Sequence, residues 1–137
     1  MEIKITKKLL NNYRKYKREI PFLEAELRDM QTTDAGIGNS TIFDYQTGYP
    51  RPQSVVGFDW ELYEHRKGVL ERRKAQVAAV EHWIDAIEDG QTRCVFRMKY
   101  IDDMSWVKIS EKTGYAGRED YVRLHIRDAY LKKCGIR

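Results

Sequence analysis

Hydrophobic residues recur at helical spacing along the first thirty positions of the chain. They alternate steps of three and four residues, at Leu9, Tyr13, Tyr16, Ile20, Leu23, Leu27 and Met30. A seam of this kind winds around a partner helix as in a coiled coil. Pro21 interrupts the seam, and it either starts a second helical piece or kinks a continuous helix. The pattern predicts a long N-terminal helical segment.

A second long helix is predicted from about Asp59, a suitable N-cap, to Asp89. Its apolar stripe recurs every seven residues, with two members at intermediate positions: Tyr63, Leu70, Val77 and Ile84, then Val80 and Ile87. Arg66 and Arg73 occupy the intermediate positions in the first half of the stripe. The two long helices are expected to pair in antiparallel fashion with each other, or with a second subunit in a homodimer. The spacing alone leaves both arrangements open.

The segment between these helices, Gln31 to Gly57, is rich in Gly, Ser, Thr and Pro and has no helical period. We expect an irregular loop there, and its role is open. Residues 1–90 are therefore interpreted as a helical hairpin or oligomerisation region, and residues 91–137 as a separate domain. The predicted architecture is all-α, with a coiled-coil-like hairpin followed by a C-terminal three-helix unit.

Three short helices are predicted in the C-terminal region, at about 91–101, 106–113 and 119–133. Ser105 is a suitable N-cap for the second helix, and Gly114 can take the left-handed conformation that ends it. The third helix is expected to bury Val122, Ile126 and either Ala129 or Tyr130. A short helix, a glycine-containing turn and a longer basic helix are typical of a helix-turn-helix unit, which binds double-stranded DNA.

Five residues of this region are predicted to contact DNA. Arg123 and Arg127 stand one turn apart and are expected on the outer face of the third helix. Arg118 and Tyr121 lie near its N-terminal end, where base edges are reached, and Lys132 lies further along, towards backbone phosphate. The alternative to DNA contacts is that Glu119, Arg123 and Arg127 form solvent-exposed i, i+4 pairs. Such pairs contribute only about 0.2–0.5 kcal/mol each to helix stability.

The distribution of charge agrees with a polyanionic partner. The chain has a net charge of +4, and residues 91–137 carry eleven Lys/Arg against six Asp/Glu. Residues 58–90 have the opposite balance, with five Lys/Arg against eight Asp/Glu. A basic region of this kind is the electrostatic footprint of a nucleic-acid-binding surface.

The stretch DGQTRCVFRMKYIDDMSWVKISEKTGY resembles region four of sigma-70 factors. The residues that carry this resemblance are Lys99-Tyr100, Ser105-Trp106, Ile109-Ser110 and Gly114. The wider chain resembles the RinA/ArpU-like late-gene regulators of phages and prophages of Gram-positive hosts, through VEHWIDAIEDGQTRCVFRMKYIDDMSW and REDYVRLHIRDAYLKK. The resemblance implies a transcriptional regulator that binds promoter DNA, with RNA polymerase as a further partner. The turn TGYAGREDYV is longer than in typical sigma factors, and nothing in the chain matches the region that reads the minus-ten element.

Other classes of function find little support in the sequence. Of the three histidines, His82 shares a helix face with Asp85 and Asp89, which is more typical of a solvated surface than of a metal site. No arrangement suggests nucleophilic catalysis, so we expect no enzyme activity, no cofactor and no metal. No apolar run approaches the roughly 20 residues that cross a bilayer, and the basic start lacks the apolar core of a signal peptide. We therefore expect no membrane partner and a cytoplasmic location in a bacterial host cell.

Two other classes of protein also agree with the sequence. One is a structural or DNA-packaging component of a phage, similar to a small terminase subunit, in which the helical hairpin assembles an oligomer. The other is a protein-interaction module whose three-helix unit makes no DNA contacts.

Overall fold

The computed structural model describes residues 2–34 and 58–136, and these residues form helices and no strand. Helix α1 spans Lys7–Asp29 and continues as a π-helical turn over Met30–Asp34. Helix α2 spans Trp60–Asp85, and α3 spans Gly90–Phe96 with a π-helical continuation over Arg97–Ile101. Helix α4 spans Trp106–Lys112. Helix α5 consists of Glu119–Tyr121, a π-helical segment Val122–Asp128, and Ala129–Lys133. The all-α prediction is confirmed.

The predicted loop at 31–57 is only partly covered by the described residues. Residues 31–34 continue α1 instead of starting an irregular segment. The rest of the predicted loop lies outside the described residues.

The chain divides into two compact units, of which unit 1 is Met1–Lys17 with Ala75–Arg137 and unit 2 is Arg18–Lys74. This division differs from the boundary at residue 90 that the sequence suggests. Each long helix contributes residues to both units, so the short helices α3–α5 share unit 1 with parts of α1 and α2.

Unit 2 contains an antiparallel pair of helical segments from α1 and α2. Three ion pairs join them: Glu19 with Arg73 at 2.9 Å, Glu24 with Lys74 at 3.0 Å, and Glu26 with Arg66. Arg66 and Arg73, which interrupt the apolar stripe of α2, therefore face glutamates of α1. Leu27 and Leu70 are buried in the same unit. Of the two arrangements that the sequence leaves open, this segment shows pairing within one chain.

Two aspartates cap the N-terminal ends of α2 and α3. The Asp59 carboxylate accepts the backbone N–H of Leu62 at 2.9 Å, which confirms it as the N-terminal cap. The helix ends at Asp85, earlier than the predicted Asp89. Asp89 instead caps α3, because its carboxylate accepts the backbone N–H and the hydroxyl of Thr92 at 2.9 and 2.8 Å. These two hydrogen bonds lower the pKa of Asp89.

The short helices of unit 1 pack around one apolar cluster. Its buried members come from α3, α4 and α5: Val95, Ile109, Val122 and Ile126. Ser110 is fully buried on α4, and its hydroxyl donates to the carbonyl of Val107 at 2.7 Å. The hydroxyl of Ser105 accepts the backbone N–H of Lys108 at 3.2 Å, so the predicted cap of α4 is confirmed.

The first turns of α1 are part of the same unit. Leu10 and Tyr13 are each 1% exposed. The Arg14 guanidinium donates to the carbonyl of Ile101 at 2.8 Å and lies 3.9 Å from the carboxylate of Asp103. A carbonyl in the last turn of a helix has no partner within the helix, so Arg14 supplies one to α3. These contacts join the start of α1 to the end of α3, so the boundary of unit 1 does not fall at residue 90.

A polar triad joins the start of α1 to α2 within unit 1. The Tyr13 hydroxyl donates to Glu81, and the Lys17 ammonium lies 2.7 Å from the same carboxylate. Although partial burial opposes it, hydrogen bonding from Lys17 and Tyr13 lowers the pKa of Glu81. Burial and the contact with Glu81 raise the pKa of Tyr13. The triad therefore favours a charged glutamate beside a neutral tyrosine.

Helix α5 departs from regular α-helical spacing. Val122 and Ile126 are buried as predicted, but the next buried position is Leu131, while Ala129 is exposed. Tyr130, the other predicted alternative, packs on Trp83 and Phe96 with ring centroids 5.8 and 5.5 Å apart. A π-helix closes its hydrogen bonds one residue later than an α-helix, so the segment Val122–Asp128 delays the return of the core face.

Candidate nucleic-acid interface

The N-terminal end of α5 presents a cluster of planar side chains, which we call the Tyr121 cluster: Tyr115, Arg118, Tyr121 and His125. The Tyr121 ring stacks on Tyr115 with centroids 4.9 Å apart and lies 4.9 Å from the His125 ring. The Arg118 guanidinium is 4.9 Å from the centre of Tyr121. Two of the predicted DNA contacts, Arg118 and Tyr121, are thus brought together, with Arg118 exposed and Tyr121 half-buried.

Arg123 lies at the surface of α5 and forms an ion pair with Asp120 at 3.0 Å. The side chain of Arg123 is 38% exposed and that of Asp120 is 79% exposed. A solvated pair at this spacing contributes about 0.3–0.5 kcal/mol. Arg123 can therefore exchange Asp120 for another anion at little cost.

Arg127 does not lie on the outer face of α5, and that expectation is wrong. Its side chain is only 12% exposed and pairs with Asp128. Its guanidinium donates to the hydroxyl of Tyr100 at 3.0 Å and lies 5.1 Å from the centre of the Trp106 ring. The Arg127 side chain extends towards Tyr100 and Trp106, whereas Arg123 reaches Asp120 at the surface. Although burial opposes it, the contacts with Tyr100 and Asp128 raise the pKa of Arg127.

Four lysines complete the basic surface of unit 1. Lys132, as predicted from sequence, is exposed near the end of α5, and Lys133 lies beside it. Lys108 and Lys112 are exposed on α4, one turn apart, and were not among the predicted contacts. Their i, i+4 spacing, which puts both on one face of a helix, is the sequence signal that could have found them. None of the four has an ion-pair partner within 4 Å in the part of the chain that the structure describes.

A groove of about 810 Å³ runs along one side of α5. Its α5 side includes His125, Ala129 and Lys133, and its other wall includes Glu88 and Asp89. The two carboxylates would repel phosphate. The groove also includes Tyr121, so it borders the Tyr121 cluster, and at Lys133 it reaches the basic surface of α5. Arg118 and Arg123 lie outside it.

The described residues offer no group of three His, Cys, Asp or Glu side chains placed to hold a metal ion. Across residues 2–34 and 58–136, every helix is too short or too polar to cross a membrane. Comparison with protein families, with curated proteins and with solved structures gives no match to this chain. Its function therefore has to be inferred from the residues themselves.

Proposed function

We propose that the chain binds double-stranded DNA through unit 1, with α5 in the major groove, and acts as a transcriptional regulator of a phage or prophage. One observation carries the proposal. Helices α4 and α5 bury Ile109, Val122 and Ile126 against a common core. Lys108, Lys112 and Arg123 remain at their surface.

The dimensions of α5 suit this role. A helix with its side chains is about 10–12 Å across, and the major groove of B-DNA is about 12 Å wide. With α5 in the groove, Arg118 and Arg123 are available for base edges and nearby phosphates. Lys108, Lys112 and Lys132 are available for the flanking backbone, where cations fix the register of a protein on the duplex.

The resemblance to region four of sigma-70 factors supports the regulatory part of the proposal. The residues that carry it have defined structural roles in this chain: Ser105 caps α4, Ile109 and Ser110 are buried, and Gly114 has a φ of 89°. On this basis RNA polymerase is proposed as a second partner.

Unit 2 carries an observation that favours self-association. Phe22 is 76% exposed and Trp60 is 54% exposed, so burying these two side chains would contribute to a dimer interface. A homodimer would suit a regulator, whereas a ring of many subunits would favour the second candidate, a DNA-packaging component. Light scattering on the full chain separates the two by mass.

The DNA proposal is tested by selecting duplexes from a random library and titrating the selected site with the full chain. Arg118→Ala and Arg123→Ala should weaken binding, and each lost phosphate contact should reduce the slope of log K against log salt by about 0.9. Lys67→Ala and Arg72→Ala in unit 2 are charge-matched controls, because both residues are exposed on α2. If the unit 2 variants weaken binding as much as the unit 1 variants, α5 is not the interface.

A further inference from the structure

Leu124 lies at the centre of the exposed face of α5. Val122 and Ile126 define the side that faces the core. Leu124 lies midway between them in sequence, and two residues of helix rotate a side chain by about half a turn. Position 124 is therefore diametrically opposite the core. In agreement, Leu124 is 45% exposed.

An exposed leucine at this position restricts what α5 can recognise. In unit 1, the described residues include only one other large apolar side chain with high exposure, Val107 on α4 at 51%. A leucine has no donor or acceptor, so it cannot read the hydrogen-bonding edge of a base. The one apolar group that a base pair presents in the major groove is the C5-methyl group of thymine.

We propose that Leu124 is a specificity-determining residue that contacts a thymine methyl group in the bound DNA site. This inference rests on the proposed DNA-binding function. Arg123 flanks Leu124 on α5 and can pair with a neighbouring phosphate or guanine once it releases Asp120. The selected DNA site should therefore contain at least one thymine that no other base replaces without loss.

The test compares thymidine with deoxyuridine, which lacks only the C5-methyl group of the base. Each thymine of the selected duplex is replaced in turn, and the full chain is titrated against each duplex. At one position, the replacement should weaken binding about fourfold, the value for burying one methyl-sized group at about 0.8 kcal/mol. Leu124→Ala should lose this discrimination at the same position, so that thymine and deoxyuridine bind equally.

Val107→Ala is the matched control, since it also shortens an exposed apolar side chain of unit 1. It should retain the fourfold discrimination. Circular dichroism should show an unchanged fold for both variants because both residues are exposed. The inference is overturned if Leu124→Ala discriminates as well as the parent chain, or if no thymine shows a methyl effect. If the parent chain enriches no duplex at all, the proposed function itself fails, which is a different result from binding without a methyl effect.

Discussion

Replacing Arg127 with alanine should destabilise unit 1 instead of removing a DNA contact. The guanidinium is 12% exposed, donates to Tyr100, pairs with Asp128 and lies over Trp106. A hydrogen bond to a charged group contributes about 1.5–3 kcal/mol, and a cation–π contact about 0.5–2 kcal/mol. Removing both leaves the Tyr100 hydroxyl and the Asp128 carboxylate without their partner. We expect a loss of about 2–4 kcal/mol in the free energy of unfolding.

Urea denaturation, followed by circular dichroism and tryptophan fluorescence, measures this loss. Arg123→Ala is the internal control, because its i, i+3 pair with an exposed aspartate should contribute at most about 0.5 kcal/mol. The reasoning is refuted if Arg127→Ala is as stable as the parent chain and weakens DNA binding. That result would place Arg127 on the outer face, where regular helical spacing puts it.

Three further substitutions test other parts of the account. Glu81→Gln should cost less than about 1 kcal/mol near neutral pH, since its pair with Lys17 is partly exposed. Because the pKa of Glu81 is lowered in the fold, its contribution is present above the ordinary value of 4.5 and is lost as the pH falls through the folded value. Stability profiles of parent and variant should therefore converge in acid, and parallel profiles would contradict the assignment. Gly114→Ala should cost about 1–2 kcal/mol in the free energy of unfolding, because its backbone is left-handed. No atom lies within 4 Å of the added methyl group, so a steric clash adds nothing to this cost. An unchanged melting temperature would argue against the left-handed conformation. Ser110→Leu should lower the free energy of unfolding by about 1–3 kcal/mol through overpacking. If Ser110→Leu and Ser110→Ala are equally stable in denaturation, α4 is not tightly packed at this position.

The sequence predicts most of the helical framework because its signals are local. Caps such as Asp59 and Ser105 act within one turn of their own helix, and the left-handed Gly114 is a property of one residue. The buried positions Val122 and Ile126 follow from helical spacing. These features need no knowledge of the rest of the chain.

The predictions that differ from the structure depend on contacts distant in sequence. Arg127 reaches the hydroxyl of Tyr100, which lies 27 residues earlier in the chain, and the local sequence pattern contains no signal for this contact. Arg14 joins α1 to the end of α3 across a long stretch of chain, so the grouping of residues into unit 1 could not be found from composition. Asp89 illustrates a local ambiguity, because an aspartate after an apolar stripe can end one helix or cap the next.

Amide chemical-shift mapping of the labelled full chain, on addition of the selected duplex, tests the proposal that the outer surface of α4 and α5 binds duplex DNA. The largest changes are expected at Lys108, Lys112 and residues 118–125, with small changes in unit 2. Changes concentrated in residues 18–34 and 60–74, or no changes at a duplex concentration that saturates binding, would contradict it.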